Sequence, residues 1–388
     1  MKILLTSDWH LGKALYHQKL HNYQEKFFLQ EFIPAMRDIK PDLLIVAGDI
    51  LDRPIPDKDT LLLFEEILKE LASSKIKTFF ILGNHDSRRT SLHKYFLELG
   101  GLFVIDDLRF FFNPLTISDE EGSKLNLYFL PYLSPYELEE ILRERGVELD
   151  GVPKVFTRDL LKHLINEIEI KRPAFLIGHF AISGFIFCGE ELFIRGFNQD
   201  YLLDEDLFEG FDFLFLGHLH RYQVRNNRIF YPGAPLIYSF DNVKDRRGAL
   251  LLEIYGAQII HYKLIELTSP YEIMVIEDTF SNILKLPKTE AFLKIILTDN
   301  KPIYEAFQRL KEKFPNLLYL DYKKVLNEEQ KSNLFLDYDD FNLDLIELKI
   351  DELELFKEFY KYVTNTDPEE RIIRVFKEYL ESFYNSRH

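Results

Sequence analysis

Five short apolar runs in this chain each end in residue types that bind divalent metal ions. Ile3-Leu4-Leu5 leads to Ser7-Asp8-Trp9-His10, Leu43-Leu44-Ile45-Val46 to Gly48-Asp49, and Phe79-Phe80-Ile81-Leu82 to Gly83-Asn84-His85-Asp86. Phe175-Leu176-Ile177 leads to Gly178-His179, and Phe213-Leu214-Phe215-Leu216 to Gly217-His218-Leu219-His220. The groups supplied are carboxylate, imidazole and amide oxygen with no thiolate, a set suited to manganese, magnesium, iron or zinc. A carboxylate such as Asp49 can be shared by two ions roughly 3.5–4 Å apart, the spacing at which a metal pair supports in-line hydrolysis of a phosphate ester. Taken singly, each signal is weak: a turn aspartate after a strand, or a satisfied core histidine, accounts for any one of them. The recurrence at five strand ends is what argues for a site.

To bring these residues together, the runs must be strands. Each is short, apolar and bounded by turn residues, as buried parallel strands are, and a glycine after the run lets the chain turn out of the sheet. In an open α/β sheet, groups that follow different strands converge on the crevice at the carboxyl edge. Residues 22–38 carry a helical apolar stripe of Tyr23, Phe27, Phe28, Phe32 and Met36, and residues 59–73 carry a second. This alternation predicts right-handed βαβ crossovers. From 94 to 172 the signals weaken, with candidate strands at 103–105, 110–112 and 127–130 and helices at 135–145 and 157–171. After His220 the pattern turns antiparallel: strands are expected at 222–224, 229–231, 249–255 and 258–264. A break at Thr268-Ser269-Pro270 opens a small α+β unit with strands at 271–276, 291–298 and 317–322 and a helix at 302–313 opened by Pro302. An acidic stretch, 336–350, precedes helices at 352–363 and 368–384, the latter with Asp367 as N-cap and Pro368 at the first helical position.

The chain has 388 residues, 46% hydrophobic and 29% charged, an ordinary globular balance with room for more than one domain. No apolar stretch reaches bilayer length and no signal core follows Met1, so a cytoplasmic protein without membrane association is expected. The single cysteine, Cys188, excludes an intrachain disulfide and a Cys-based zinc site. A net charge of -16 argues against an evenly basic nucleic-acid binder, but bound divalent ions would offset it where phosphate approaches.

In order along the chain, Asp8-x-His10, Gly48-Asp49-x-x-Asp52, Gly83-Asn84-His85-Asp86, Gly178-His179 and Gly217-His218-x-His220 resemble the signature of the calcineurin-like metallophosphoesterases. Ser7 to Gly12, Tyr231-Pro232-Gly233-Ala234-Pro235, Ser239-Phe240 and the terminal helix pair are similar, more narrowly, to the SbcD family of DNA double-strand-break repair nucleases, which work with the coiled-coil ATPase SbcC. Ala234 and Asp241 depart from the Ser and Glu common in related sequences. The resemblance implies an α/β fold: a phosphoesterase β-sandwich flanked by helices at residues 1–268, a small α+β DNA-binding capping domain at 269–335, and an acidic linker with C-terminal helices for the ATPase at 336–388. It implies one ion held by Asp8, His10, Asp49 and His220 and another by Asp49, Asn84, His179 and His218, with Mn2+ preferred and Mg2+ the alternative. It also implies that His85 touches the phosphate and assists the leaving oxygen. Asp86 is expected to orient His85, and Asp52 is either a support behind the ligands or an ordinary turn residue.

The ligands alone do not choose among DNA, nucleotides and small diesters. The resemblance implies a nuclease with duplex 3'-to-5' exonuclease and single-strand endonuclease activity, acting as a dimer with SbcC. The other readings are a stand-alone phosphodiesterase or nucleotidase and a non-enzymatic scaffold. Lys13, Arg53, Arg88, Arg89, Arg221, Arg225 and Arg228 are candidates for phosphate contact, each with a solvated charged face as its plainer reading. His17, His21, His93, His163, His261 and His388 fall outside the motif pattern, with His17 the weak DNA-facing candidate among them. The terminal helices carry enough apolar residues that they either bind the ATPase or pack on the capping domain.

Overall fold

The computed structural model describes residues 1–88, 94–119, 121–147, 157–189 and 202–323, together with Pro368, Ile372, Ile373 and Phe376. It divides into two compact units, Met1–Lys323 and Lys324–His388. In the second unit, Ile372, Ile373 and Phe376 are helical, within the expected 368–384 helix. The acidic stretch at 336–350, the 352–363 helix, Arg89 and His93 lie outside the described residues.

The first unit contains two six-stranded mixed sheets and a three-stranded one. Strands β1 (Lys2–Thr6), β2 (Leu43–Ala47), β3 (Lys77–Ile81) and β4 (Leu102–Ile105) run parallel in the first sheet. Strands β5 (Leu115–Ser118), β6 (Lys124–Leu130), β7 (Ala174–His179), β8 (Phe213–Gly217), β9 (Gln223–Arg225) and β10 (Ile229–Tyr231) form the second, in the order β9-β10-β8-β7-β6-β5. The hairpin β11 (Gly248–Tyr255) and β12 (Gln258–Glu266) returns to the first sheet, where β11 lies antiparallel to β1.

A period of two within the apolar runs decides the layers. Ile3, Leu5, Leu43, Ile45, Ala47, Phe79 and Ile81 of the first sheet share one core with Leu127, Phe129, Phe175, Ile177, Phe213 and Phe215 of the second. The residues between them turn the other way. Leu4, Leu44, Val46 and Phe80 join the helical residues Phe27, Phe28, Leu63 and Ile67, while Tyr128, Leu176, Leu214 and Leu216 join Leu138, Leu142, Leu160 and Leu164. Strands buried on both faces read as continuous apolar runs, so the result is two sheets face to face with helices outside. This is the expected β-sandwich flanked by helices: β1, β2 and β3 belong to one sheet, β7 and β8 to the other.

Two other expectations change. Residues 110–112 lie in a helical turn, Arg109–Phe112, because Asp107 Oδ1 accepts the Arg109 backbone N–H at 2.9 Å and starts the turn. The 302–313 helix begins only at Ala306, since the preceding Glu305 has φ 51° and breaks the helical path from Pro302. The helix expected at 22–38 spans His21–Ile39 as one path whose middle, Phe28–Phe32, is π-helical. The helix expected at 59–73 is Lys58–Ser74, and Asp57 caps it by accepting from the Thr60 N–H at 2.9 Å.

Strands β13 (Ile273–Asp278), β14 (Phe292–Leu297) and β15 (Leu317–Tyr322) pair in parallel and enclose their own core with the Ala306–Lys313 helix. Tyr271 and Phe292 from this region meet Tyr23 at ring separations of 5.3 and 5.5 Å. Among the described residues, no helix is long and apolar enough to cross a membrane.

Trp9, the only tryptophan, is fully buried against Phe28, Phe32 and Phe80, with ring centroids at 4.8, 5.5 and 5.9 Å. Its indole N–H donates to Thr6 Oγ1 at 3.0 Å. Trp9→Ala is expected to lose about 3–5 kcal/mol of stability in urea unfolding followed by circular dichroism, and Trp9→Phe much less.

Candidate metal centre

The loops after β1 and β2 are joined by backbone hydrogen bonds. Asp8 N–H donates to Gly48 O at 3.0 Å, His10 N–H to Asp49 O at 3.0 Å and Leu11 N–H to Ile50 O at 2.9 Å. Within this zipped pair, Asp8, His10 and Asp49 adopt φ of 54°, 43° and 52°, and His218 after β8 adopts 93°. Left-handed backbone costs an L-residue roughly 1–2 kcal/mol, so these conformations persist only because the surroundings hold them. They aim four side chains from different loops at one place.

The nine residues singled out from the motifs lie together where the carboxyl ends of the two sheets meet. Asp49 is central: its Oδ1 lies 3.4 Å from His179 Nε2, and its Oδ2 lies 3.5 Å from His10 Nε2 and 3.9 Å from His85 Nε2. On one side, His10 Nε2 and His220 Nε2 face each other at 3.0 Å with Asp8 beside them. On the other, Asn84 Oδ1 lies 3.0 Å from His179 Nε2 and 3.1 Å from His218 Nδ1. Asp8 lies within reach of both groups, a wider role than the one-ion assignment implied. The His218-Leu219-His220 segment is not extended strand; Leu219 is buried in the core and the two imidazoles go to opposite groups.

The motif glycines are needed for space as well as for turning. A Cβ at Gly83 would sit 2.2 Å from Asp49 Oδ1, and one at Gly217 would sit 1.8 Å from the Ala47 carbonyl oxygen. That carbonyl is the partner of His179 Nδ1 at 2.8 Å. The bond makes Nδ1 the protonated nitrogen and leaves Nε2 with its lone pair toward oxygen lone pairs of Asn84 and Asp49.

Such an arrangement requires a cation or a proton. Burial pushes the Asp8 carboxyl up, with the neighbouring Asp49 adding to it. Burial would also raise Asp49, but His179 and His10 hold it well below the usual carboxylate range. Burial disfavours the His179 imidazolium, yet Asp49 and Asp8 outweigh it and move His179 up to about 9. Burial, with His179 adding to it, lowers His218 to about 3, and burial with His10 lowers His220 well below its ordinary value, so both are neutral and ready to donate a lone pair. His10 Nδ1 is buried without a hydrogen bond, 3.3 Å from Asp52 Oδ1 but poorly aligned with it. Paired carboxylates, neutral imidazoles and converging lone pairs fit divalent cations.

Asp86 has a different task from the one expected. Its carboxylate accepts the backbone N–H groups of Gly83, Leu51 and Ile50 at 2.8, 2.9 and 3.2 Å, tying the β3 loop to the β2 loop. The His85 ring is instead oriented by the Asp52 carbonyl oxygen, 2.9 Å from Nδ1. Asp52 is therefore a support and not an idle turn residue: Lys13 Nζ donates to its Oδ1 at 3.0 Å, and despite burial, His10 and Lys13 lower its pKa to about 2. Most of the candidate phosphate-binding cations are engaged internally. Arg221 pairs with Asp245 at 2.6 Å, Arg228 with Glu205 at 2.9 Å, Arg225 with Glu205 at 3.5 Å and Arg88 with Glu137 at 3.0 Å. Arg53, with its side chain 72% exposed, stays on the surface near Asp52. Gln24 and Tyr238, which the motifs do not reveal, touch the Asp8–Gly12 loop from behind.

Beside Asn84, His179 and His218 opens a recess of about 250 Å³ walled by Leu130, Leu133, Leu138, Leu161 and Phe180.

Residues 1–222 match the model of the calcineurin-like phosphoesterases, and residues 270–364 match SbcD_C, described as the type 5 capsule protein repressor C-terminal domain. The SbcD subunit of the nuclease SbcCD from Staphylococcus epidermidis is 28% identical over 373 residues, covering 94% of this chain and 94% of that protein. Its namesake from Staphylococcus saprophyticus subsp. saprophyticus is 28% identical over 371 residues, covering 94% of this chain and 93% of its own.

With His179 moved up to about 9, a cation bound through its Nε2 would displace a proton near neutral pH. Metal titration at pH 7.5 is expected to release about one proton, seen as a heat that varies with the ionisation enthalpy of the buffer. Gly83→Ala, which pushes a methyl group onto Asp49, is expected to remove most metal uptake in the same titration.

Proposed function

The chain belongs to the calcineurin-like phosphoesterase family and to the SbcD group within it, and from this we propose that it is a two-metal DNA nuclease. The chain is a metal-dependent hydrolase of phosphodiester bonds. The finer reading is duplex 3'-to-5' exonuclease and single-strand endonuclease activity, in complex with an SbcC-type coiled-coil ATPase, as a homodimer in the cytoplasm at the nucleoid. The observation that supports it most is Asp49, whose two carboxylate oxygens face imidazoles of opposite groups.

In this reading Asp8, His10, Asp49 and His220 hold one ion and Asp49, Asn84, His179 and His218 the other, Mn2+ being preferred and Mg2+ the substitute. When bound, the ions supply positive charge against the phosphate oxygens and make water acidic enough to attack near neutral pH. The side chains do the rest. His85 is partly exposed, its Nδ1–H donates to the Asp52 carbonyl, and its Nε2 lies at the edge of the cluster, 3.9 Å from Asp49 Oδ2; as the imidazolium it bonds the phosphate and gives its Nε2 proton to the leaving oxygen, which leaves the ring neutral. The apolar recess beside Asn84 suits a phosphate ester with a flat, weakly polar organic part. Residues 1–268 form the nuclease domain, 269–335 the DNA-binding cap, and 336–388 the linker and helices that engage the ATPase.

The internal pairing of Arg221, Arg225 and Arg228 favours one rival, a stand-alone phosphodiesterase or nucleotidase, because these cations do not line a track for a long polyanion. End-labelled linear duplex DNA in Mn2+ separates the two. The purified chain is expected to degrade it, and His85→Ala to slow that degradation at least ~100-fold with metal uptake retained. Hydrolysis of a small diester with no action on DNA, even with the coiled-coil ATPase and ATP present, would establish the rival.

A further inference from the structure

Gln24 is wholly buried and stands behind the proposed ligand atoms, gripping the loop that carries two of the ligands. Its Oε1 accepts the Gly12 backbone N–H at 2.9 Å, and its Nε2 donates to the His10 carbonyl at 2.7 Å and to the Tyr238 hydroxyl at 3.2 Å. The Tyr238 hydroxyl in turn donates to the Trp9 carbonyl. The Tyr238 ring lies edge-on to His10 and His220, with centroids at 5.7 and 6.2 Å. The pair therefore holds the loop backbone and also packs against two ligand rings.

The Asp8–Gly12 loop has little intrinsic reason to keep its shape. Asp8, His10 and Gly12 all have positive φ, at 54°, 43° and 89°. Only a carboxamide of this length both accepts from Gly12 and donates to His10; a carboxylate lacks the donor, and a thioether has no donor and accepts only weakly. Losing the amide would leave the Gly12 N–H and the His10 carbonyl buried without these partners, so the loop would shift to find others. The Asn84, His179 and His218 group is held differently, through Ala47 O and the close approach at Gly83 and Gly217.

We infer that Gln24 and Tyr238 are positioning residues chiefly for one metal site: by fixing the backbone at Trp9, His10 and Gly12 they set the affinity of the site that His10 and His220 serve, while Asp8, within reach of both groups, is held separately by the His218 N–H. This rests on the two-site reading of the cluster.

The test is calorimetric titration of the metal-stripped full-length chain with Mn2+, for wild type, Gln24→Met and Tyr238→Phe. Wild type is expected to take up two ions, and Asn84→Ala marks which step belongs to the opposite group. Each clamp variant is expected to weaken the other step about 10–100-fold and leave the Asn84-dependent step in place, the usual reach of a residue that orients a ligand. A purely structural role would move both steps together, and that result, or no movement in either, overturns the inference. If Gln24→Met does not fold by circular dichroism, Tyr238→Phe, which removes one oxygen atom, decides alone. Uptake of a single ion by wild type would overturn the two-site reading itself, an outcome distinct from two ions with unselective variants.

Discussion

Asp8 and Asp49 are 0% and 2% exposed, side by side, and buried like charge of this kind must be balanced by cations brought to the same place. The surrounding structure can be understood as the solution to that constraint. His179 is drawn toward the charged form by the two carboxylates, while His218 and His220 stay neutral because burial and a neighbouring imidazole each oppose a further proton. Neighbours held in different protonation states offer both a proton to be displaced and free lone pairs, the combination a cation site needs.

Holding the carboxylates in this position requires backbone that no local preference supplies. The left-handed residues Asp8, His10, Asp49 and His218 are kept in place by hydrogen bonds between loops that follow different strands. Asp86 adds a second fastening: with three backbone donors on one carboxylate, it locks the β3 loop to the β2 loop. Burial and the nearby Asp49 raise Asp86 to about 6, so this fastening is strongest when Asp86 is ionised and its acceptor capacity is complete. Asp52 works through both of its polar ends, with its carboxylate toward Lys13 and His10 and its carbonyl toward His85. One residue thus links His10 to the partly exposed His85.

Much of this was legible in the residue pattern because the strands are buried on both faces. A strand covered on both sides must be apolar throughout, so its end is marked sharply when a polar residue follows. That contrast locates Asp8, Asp49, Asn84, His179 and His218 without any knowledge of the fold. It does not say which sheet each strand joins, since a doubly buried strand reads alike in one sheet or in two. The short 110–112 run shows the opposite limit: three phenylalanines suit a strand, but a helical turn forms there, with the Asp107 carboxylate accepting the Arg109 N–H just ahead of it.

The sequence by itself determined the donor set, its order and the strand ends that carry it, because ligand chemistry depends on side-chain type and buried strands announce their termini. Only the tertiary structure decided that Asp49 lies between two imidazole groups, that Asp86 fastens loops instead of orienting His85, and that Gln24 and Tyr238 hold the Asp8–Gly12 loop. The physical reason is distance along the chain: Gln24 and Tyr238 are 214 residues apart, and a hydrogen bond across that separation leaves no local trace of periodicity, capping or turn chemistry in either segment.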